Sequence, residues 1–540
     1  MSDFLIQDNI LMKYTGSDSS VVIPEGVTQI GSWAFTDNTN ITSIVIPDSV
    51  TTIMNHAFSG CTQLKEISIP QSVKVIKDGV FYRCSALEKV NFPHGNISLG
   101  DGIFSGCLKM KKLEIPQGME KINGDSFRGI ENLQTIVIPA SVRNIASLAF
   151  SGSKQVEEYI VSEENENYCS MDGVLFTKNM DKLLACPQTK EGKYVIPESV
   201  NTIGFAAFYN CDNLTEVVFH NGITEIAGLA FSGCGKLEKA DLPSSVKTIG
   251  QDAFRGCDLI REVFIPASVS ALGESGNDVF GKGVECITVD PANKKYVSID
   301  GMLFTMKGKN IQYCPEGKKG EIKLPDKLTN INGAAFAGCS MITAVNIPQS
   351  VKKIGISAFR NCSSLKEIVI PEGVKEIKDT AFENCTSLEK VTLPEGIVMI
   401  ESRAFKGCIS LKEITLPQSV YKIGMLTFAE NTVVICTPDI FKKLPNENKT
   451  STSLAYLADP SRFAEEQAEA INTYIKKNRA DILEKLMTQG TADMMKAYLE
   501  GASVTKKLMN ECLECAERTG NVEMKAFLLE YNAKSKGEVL

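Results

Sequence analysis

The sequence predicts a β-rich solenoid of short, parallel, stacked strands with few helices, closed by a small all-α segment at its C-terminal end. Three registers predict it. Prolines stand at 24, 47, 70, 93, 116 and 139, then at 197, 243 and 266 with His220 in the slot between, then at 325, 348, 371, 394 and 417, each run stepping by 23 residues. Eleven residues after each slot comes a phenylalanine, from Phe35 to Phe428, with Phe280 alone three places late. Six residues after every slot sits Ile or Leu, beginning Ile30, Ile53, Ile76 and Leu99. A period held this long marks a repeat array, in which each unit buries its apolar face only against its neighbours. The registers count fifteen coils in blocks of six, four and five.

The unit reads I-P-x-x-V-x-x-I-G-x-x-A-F-x-G-C-x-x-L-x-x-I-x. Apolar alternation running up to the proline, as in Leu365-Lys-Glu-Ile368-Val-Ile370-Pro371, is a short strand. The proline closes it, because it lacks a ladder donor and holds its own φ. The Ala-Phe-x-x-Cys stretch is a turn that sends phenylalanine and cysteine inward. Constant spacing then stacks equivalent strands in register, ~4.8 Å apart. These residues resemble the BspA-like leucine-rich repeats, which share the I-P, A-F and G-C-x-x-L pattern, and copies such as 348–370 and 371–393 match nearly position for position. The resemblance covers roughly residues 20–435 and implies a β-rich leucine-rich-repeat solenoid. It also implies a binding role, since characterised members are often surface proteins of host-associated bacteria and protists that bind host matrix proteins.

Two insertions break the register. Pro139 to Pro197 spans 58 residues and Pro266 to Pro325 spans 59, and the two inserts are alike. Tyr168-Cys-Ser-Met-Asp-Gly173-Val-Leu-Phe176 matches Tyr296-Val-Ser-Ile-Asp-Gly301-Met-Leu-Phe304, and each continues to a Cys-Pro pair, Cys186-Pro187 or Cys314-Pro315. With the similar segment Phe4–Lys13, they read as β-hairpins that begin a block. After Pro438 the periodicity changes. Residues 438–462 read as a capping turn or linker, and a helical pattern without proline follows from Phe463. Two similar units there, with Gly490 and Gly520 thirty residues apart, look ankyrin-like although Thr-Pro-Leu-His is missing. The expected organisation is an N-terminal hairpin cap 1–23, a first block 24–160, a hairpin insert 161–196, a second block 197–285, a second insert 286–324, a third block 325–437, the linker 438–462 and the helical segment 463–540.

Composition excludes several chemistries. A net charge of −8 supplies no basic stripe for nucleic acid. No run approaches the ~18 apolar residues of a membrane helix, so membrane insertion is not expected. The Met-Ser-Asp-Phe start carries no cationic and apolar signal, which leads to an expectation of a cytoplasmic protein unless the N-terminus is incomplete or export is non-classical. Three histidines, His56, His94 and His220, leave almost no material for a catalytic triad or a histidine metal site, so neither metal nor cofactor is expected. Ten of the seventeen cysteines sit fourteen residues after a slot, from Cys61 to Cys408, and read as a ladder of free structural thiols in a reducing compartment. Cys512-Leu-Glu-Cys515 is explained by helical spacing. Gly276-Asn-Asp-Val-Phe-Gly281-Lys282-Gly283 imitates a phosphate loop but lacks the final Ser/Thr, and its Phe280 is the coil's own core residue.

Surface positions remain. Charges such as Lys65-Glu66, Glu88-Lys89, Lys366-Glu367, Glu389-Lys390 and Lys412-Glu413 occupy equivalent places and mostly flip sign between coils, so opposite charges face each other across adjacent strands. The residue two before each proline points away from the core and varies freely: Val45, Ser68, Asn91, Glu114, Val137, Val218, Asp241, Phe264, Val369. Val218, Phe264 and nearby Arg261 are the candidate protein-binding residues, since aromatic and arginine side chains dominate binding hot spots. The function expected is a non-enzymatic protein–protein interaction scaffold using the solenoid surface and the hairpin inserts, with a protein partner. A BspA-type adhesin, surface-bound or released, is the alternative. An enzyme would need a cleft of convergent polar groups that no catalytic motif announces.

Overall fold

The computed structural model describes residues 3–124, 126–150, 153–273, 279–502 and 504–535, which form two compact units, Met1–Lys295 and Tyr296–Leu540. Within each unit the coils stack as parallel β-ladders. Each regular coil carries the strand that ends at the proline, such as Glu367–Val369, and a second strand of two residues, such as Glu376–Ile377. The second strand holds the Ile row: Ile30, Ile53, Ile76 and Leu99 lie directly opposite one another down successive coils. Two residues are too few to show alternation, so the sequence reveals the row but not the strand. Between the strands the proline carbonyl accepts a turn bond three residues on, as in Val50 N to Pro47 O at 3.1 Å. Where His220 replaces proline, its ring Nε2 lies 3.0 Å from Pro197 O and its Nδ1 accepts from Gly222 N.

The turn after the second strand explains the Ala-Phe-x-x-Cys signature. Phenylalanine rings stack face to face along the coils, for example Phe58 on Phe81 at 5.8 Å and Phe359 on Phe382 at 5.2 Å with planes 2° apart. Phe280, displaced in sequence, still joins the column at 6.1 Å from Phe254. Eight of the ten ladder thiols donate to the phenylalanine carbonyl of the coil before, as from Cys84 to Phe58 O and from Cys385 to Phe359 O, both at 3.1 Å, while Cys211 and Cys339 donate to the Cys-Pro carbonyls of the inserts. Cysteine is therefore more than a small apolar filler, because its long C–S bond reaches across the coil spacing. In the inserts, Cys186 and Cys314 take the phenylalanine's place, their amides donating to Ala207 O and Ala335 O at 2.7 Å as phenylalanine amides do elsewhere.

Among the described residues the position two before each column phenylalanine is left-handed, with φ between 52° and 66° at Trp33, Leu148, Leu229, Thr380 and Leu426. An L side chain there costs about 1–2 kcal/mol in the backbone alone. Leu426 is half exposed, so little packing offsets the strain. Leu426→Gly is expected to stabilise the protein by about 0.5–1 kcal/mol. Guanidinium unfolding checks it, and a destabilised variant would show that Leu426 packs more tightly than its exposure implies.

The expected hairpins are present. Phe4–Gln7 pairs antiparallel with Ile10–Tyr14, which then runs parallel to Gln29–Ile30. Each insert is a three-stranded meander: Tyr168–Met171, Val174–Thr177 and Lys182–Ala185 in the first, and Tyr296–Ile299, Met302–Thr305 and Asn310–Tyr313 in the second. The third strand of each starts the next parallel ladder.

The segment 438–462 differs from the expected turn or linker. It folds as α1 (Pro438–Lys443) and α2 (Asn446–Ala458), followed by α3 (Glu465–Lys477), α4 (Arg479–Gln489), α5 (Ala492–Glu500), α6 (Lys506–Thr519) and α7 (Val522–Ser535). The polar run Asn448-Lys-Thr-Ser-Thr452-Ser453 hides a helix because its buried face is polar for a reason. The last strand, Val433–Ile435, pairs on one edge only, with Glu413–Thr415, and leaves the other edge's backbone groups without a strand. Side chains supply the partners. Thr452 Oγ1 accepts from Val434 N at 3.0 Å, and Gln467 accepts from Cys436 N and donates to Val434 O. Asn448 Nδ2 donates to Ala429 O and Thr432 O. Periodicity of apolar residues cannot see such a helix.

Candidate interaction surfaces

The variable stripe is built as strand alternation requires. In Glu262–Ile265 the side chains of Val263 and Ile265 are buried while Phe264 stands 48% exposed. Val218 ends the strand Leu214–Val218, half-buried, and lies opposite Val195 of Gly192–Val195, which is more exposed than Val218 itself. Phe264 lies opposite Thr288. The coil between them places exposed Asp241 in the row, so Val218 and Phe264 stand about 10 Å apart along the stack. Sequence reasoning missed Val195 because it falls in the insert, although the spacing of 23 residues before Val218 marks it. Arg261 plays a different part: its Nη1 donates to Gly283 O at 2.9 Å and ties the irregular turn 279–284 to the coil before it. A guanidinium committed in this way is a brace, with less freedom to anchor a partner.

That irregular turn is the phosphate-loop imitation. Gly276, Asn277 and Asp278 lie outside the described residues. For the rest, a Cβ on Gly281 would come within 2.8 Å of Cys257 backbone atoms, and Lys282 N donates to Asp258 Oδ1 at 3.0 Å. The glycine is there for close packing.

The charge ladder is patchier than its sequence. Glu66 and Lys89 meet at 3.5 Å and Lys193 and Glu216 at 3.0 Å, across adjacent strands. Among the described residues Lys366, Glu389 and Lys412 form no ion pairs with one another, and the Lys412 ammonium turns to Ile409 O at 2.9 Å. Exposed pairs of this kind contribute only about 0–1 kcal/mol, which leaves the long side chains free to point elsewhere.

All seventeen cysteines are free and fifteen are buried, with Cys169 and Cys286 partly accessible. Burial raises the Cys107 thiol to about 12 and the Cys512 thiol to about 11. Cys512 and Cys515 lie on the inward face of α6 with Leu508 and Met509. Among the described residues no three histidine, cysteine or carboxylate side chains gather as a metal ion requires, and no helix is long and apolar enough to cross a membrane.

Parallel ladders at a 23-residue period, with an aromatic column, a thiol column and a variable outward stripe, define a leucine-rich-repeat protein. The chain matches the model of the BspA type leucine rich repeat region over residues 6–125, 97–171, 185–285 and 312–434, and it belongs to that family. The helices from Pro438 onward lie beyond the matched residues. Similar solved structures include a leucine-rich repeat protein from Bacteroides ovatus, 26% identical, covering 81% of this chain and 98% of that one with a TM-score of 0.33. A leucine rich cell surface protein from Faecalibacterium prausnitzii is 24% identical, covering 78% and 92% with a TM-score of 0.35. The pneumococcal vaccine antigen PcpA is 22% identical, covering 72% and 75% with a TM-score of 0.38. Comparison with curated proteins gives no match.

Proposed function

We propose that the chain is a non-enzymatic scaffold that binds a protein partner through its variable strand stripe and its meander inserts. The observation that carries this is the outward stripe at Val195, Val218 and Phe264, three apolar positions of one row that exposed Asp241 interrupts. An exposed aromatic side chain is the kind of anchor that dominates protein interfaces. The free buried thiols favour a reducing compartment. A BspA-type adhesin is the second reading, favoured by the description of the Faecalibacterium relative as a cell surface protein. Affinity capture with the whole chain, in parallel with Phe264→Asp, tests the scaffold. One reproducible partner should be recovered and should weaken at least about tenfold with the variant, since truncating a central anchor costs more than 1.4 kcal/mol. Failure to recover any partner with the unmodified chain would overturn the reading, and finding the intact protein only at the cell surface or in culture fluid would favour the adhesin.

A further inference from the structure

At a regular junction between coils, two amides of the turn donate to the coil that follows. Trp33 N and Phe35 N donate to Asn55 O and Ala57 O at 3.1 and 2.8 Å, and Ser357 N and Phe359 N to Asp379 O and Ala381 O at 3.0 and 2.8 Å. In the coil that begins at Pro139 the same places are held by Leu148 and Phe150, and among the described residues their amides have no acceptor. The ladder stops there. Among the described residues the outer edge of Asn144–Ile145 meets no strand, and Tyr168 bridges it, its hydroxyl accepting from Ile145 N at 3.0 Å and donating to Arg143 O at 3.3 Å. The meander facing this edge has turned its own groups the other way, Cys186 N to Ala207 O and Gln188 Nε2 to Tyr209 O.

A cavity of about 200 Å³ opens between the two, walled by Phe150, Tyr159, Tyr168 and Phe205. It is smaller than the ~300–1,000 Å³ of small-molecule sites, so it suits one side-chain anchor. Two of its lining groups are buried without a partner, Gln188 Oε1 and Ser153 Oγ. Ser153 stands in a thiol place of the ladder, where the shorter C–O bond leaves its hydroxyl unengaged.

We propose that this break is a peptide-binding cleft that takes a turn segment of a partner protein carrying an aromatic residue beside a small one. The inference rests on the scaffold reading and names the partner's chemistry. The molecule itself shows what such a place accepts: at regular junctions the slot is filled by the turn before a phenylalanine, where the carbonyls of Asp379 and Ala381 take the two amides and the ring of Phe382 stacks on the phenylalanine column. The two carbonyls flank a left-handed residue, Thr380 at φ 52° in that case, so the bound segment is a turn. The anchor's ring lies among Phe150, Tyr159 and Phe205, and a donor on the segment meets Gln188 Oε1.

The test uses a fluorescein-labelled peptide copying residues 353–363, the segment that fills the slot at a regular junction, and the same peptide with Phe359→Ala. Fluorescence anisotropy against the full chain should show saturable binding, weakened at least about tenfold by the peptide substitution. Phe205→Ala removes an exposed wall and Ser147→Trp fills the exposed mouth, so thermal melting should hold while each weakens binding by a similar factor. Hydrogen exchange should show the Leu148 and Phe150 amides newly protected when the peptide is bound. Absence of saturable binding, or binding that both variants leave unchanged, overturns the cleft. The two readings part in the capture experiment: a partner lost with Phe264→Asp but kept by both cleft variants removes the cleft and leaves the scaffold standing.

Discussion

Phe359→Ala is expected to destabilise the protein by about 3–5 kcal/mol, the range for deleting a fully buried aromatic ring. Phe359 is fully buried and stacks on both sides, on Phe336 at 4.8 Å and Phe382 at 5.2 Å. The site cannot close over the void, because the backbone is pinned from coil to coil by Phe336 N to Ala358 O and Phe359 N to Ala381 O, each 2.8 Å. Each lost ring pair adds about 0.5–1.5 kcal/mol beyond the area buried. A stack of this kind is held by nearest-neighbour contacts, so the loss divides the coils on either side instead of spreading over the chain. Phe428, with a ring partner on the Phe405 side only, at 5.9 Å, should lose less on the same change. Guanidinium unfolding followed by circular dichroism measures both. Equal losses at 359 and 428 would mean that the ring column carries no more than the burial of each ring alone.

The same column shows how much of the molecule could be read in advance. The phenylalanine, isoleucine and cysteine rows were legible because a solenoid repeats one environment, and a residue recurring every 23 positions must recur in space. The hairpins were legible for a related reason, since the inserts copy each other. What escaped was whatever repetition does not encode. The left-handed turn residue is Gly79 or Gly102 in two coils but Trp33, Leu148 or Thr380 in others, so no recurring residue type marks it. The polar face of α2 serves the edge of Val433–Ile435 and looks like a linker until the edge is seen. Arg261 had the residue type of an anchor but the position of a brace. The outward placement of Val218 and Phe264 follows from strand alternation alone, and Val195 went unread because it lies across the insert boundary.

The largest expected effect is alkaline unfolding. Eight ladder thiols have their pKa raised in the folded protein: burial is the first cause for Cys61, Cys84 and Cys107, and a hydrogen bond with a neighbouring thiol, then burial, for Cys211, Cys234, Cys339, Cys385 and Cys408. Below the unfolded thiol value, about 8.5 to 9, both states hold these protons and stability is untouched. Above it the unfolded chain releases protons that the folded chain keeps, so stability is lost as pH rises from there towards the folded values. One pH unit above the unfolded value each such thiol costs about 1.4 kcal/mol, so the five in Met1–Lys295 together cost about 7 kcal/mol and the three in Tyr296–Leu540 about 4 kcal/mol, a large share of the ~5–15 kcal/mol that holds an ordinary domain together. The protein should therefore begin to unfold near about pH 10, with thiolate absorbance appearing together with the loss of circular dichroism. Buried tyrosines, Tyr159 and Tyr313 among them, are also raised by burial, but unfolded tyrosine ionises about one unit later and only steepens the end of the transition. Replacing Cys84, Cys107, Cys385 and Cys408 by alanine removes four of these protons. The variant should lose some stability at neutral pH, through the missing thiol bonds, yet show a shallower dependence of stability on pH above about 9. Thiolate absorbance rising while the circular dichroism stays native would show that the ladder ionises in place, and that the thiols are neither as buried nor as tightly held to the neighbouring carbonyls as the stacking demands.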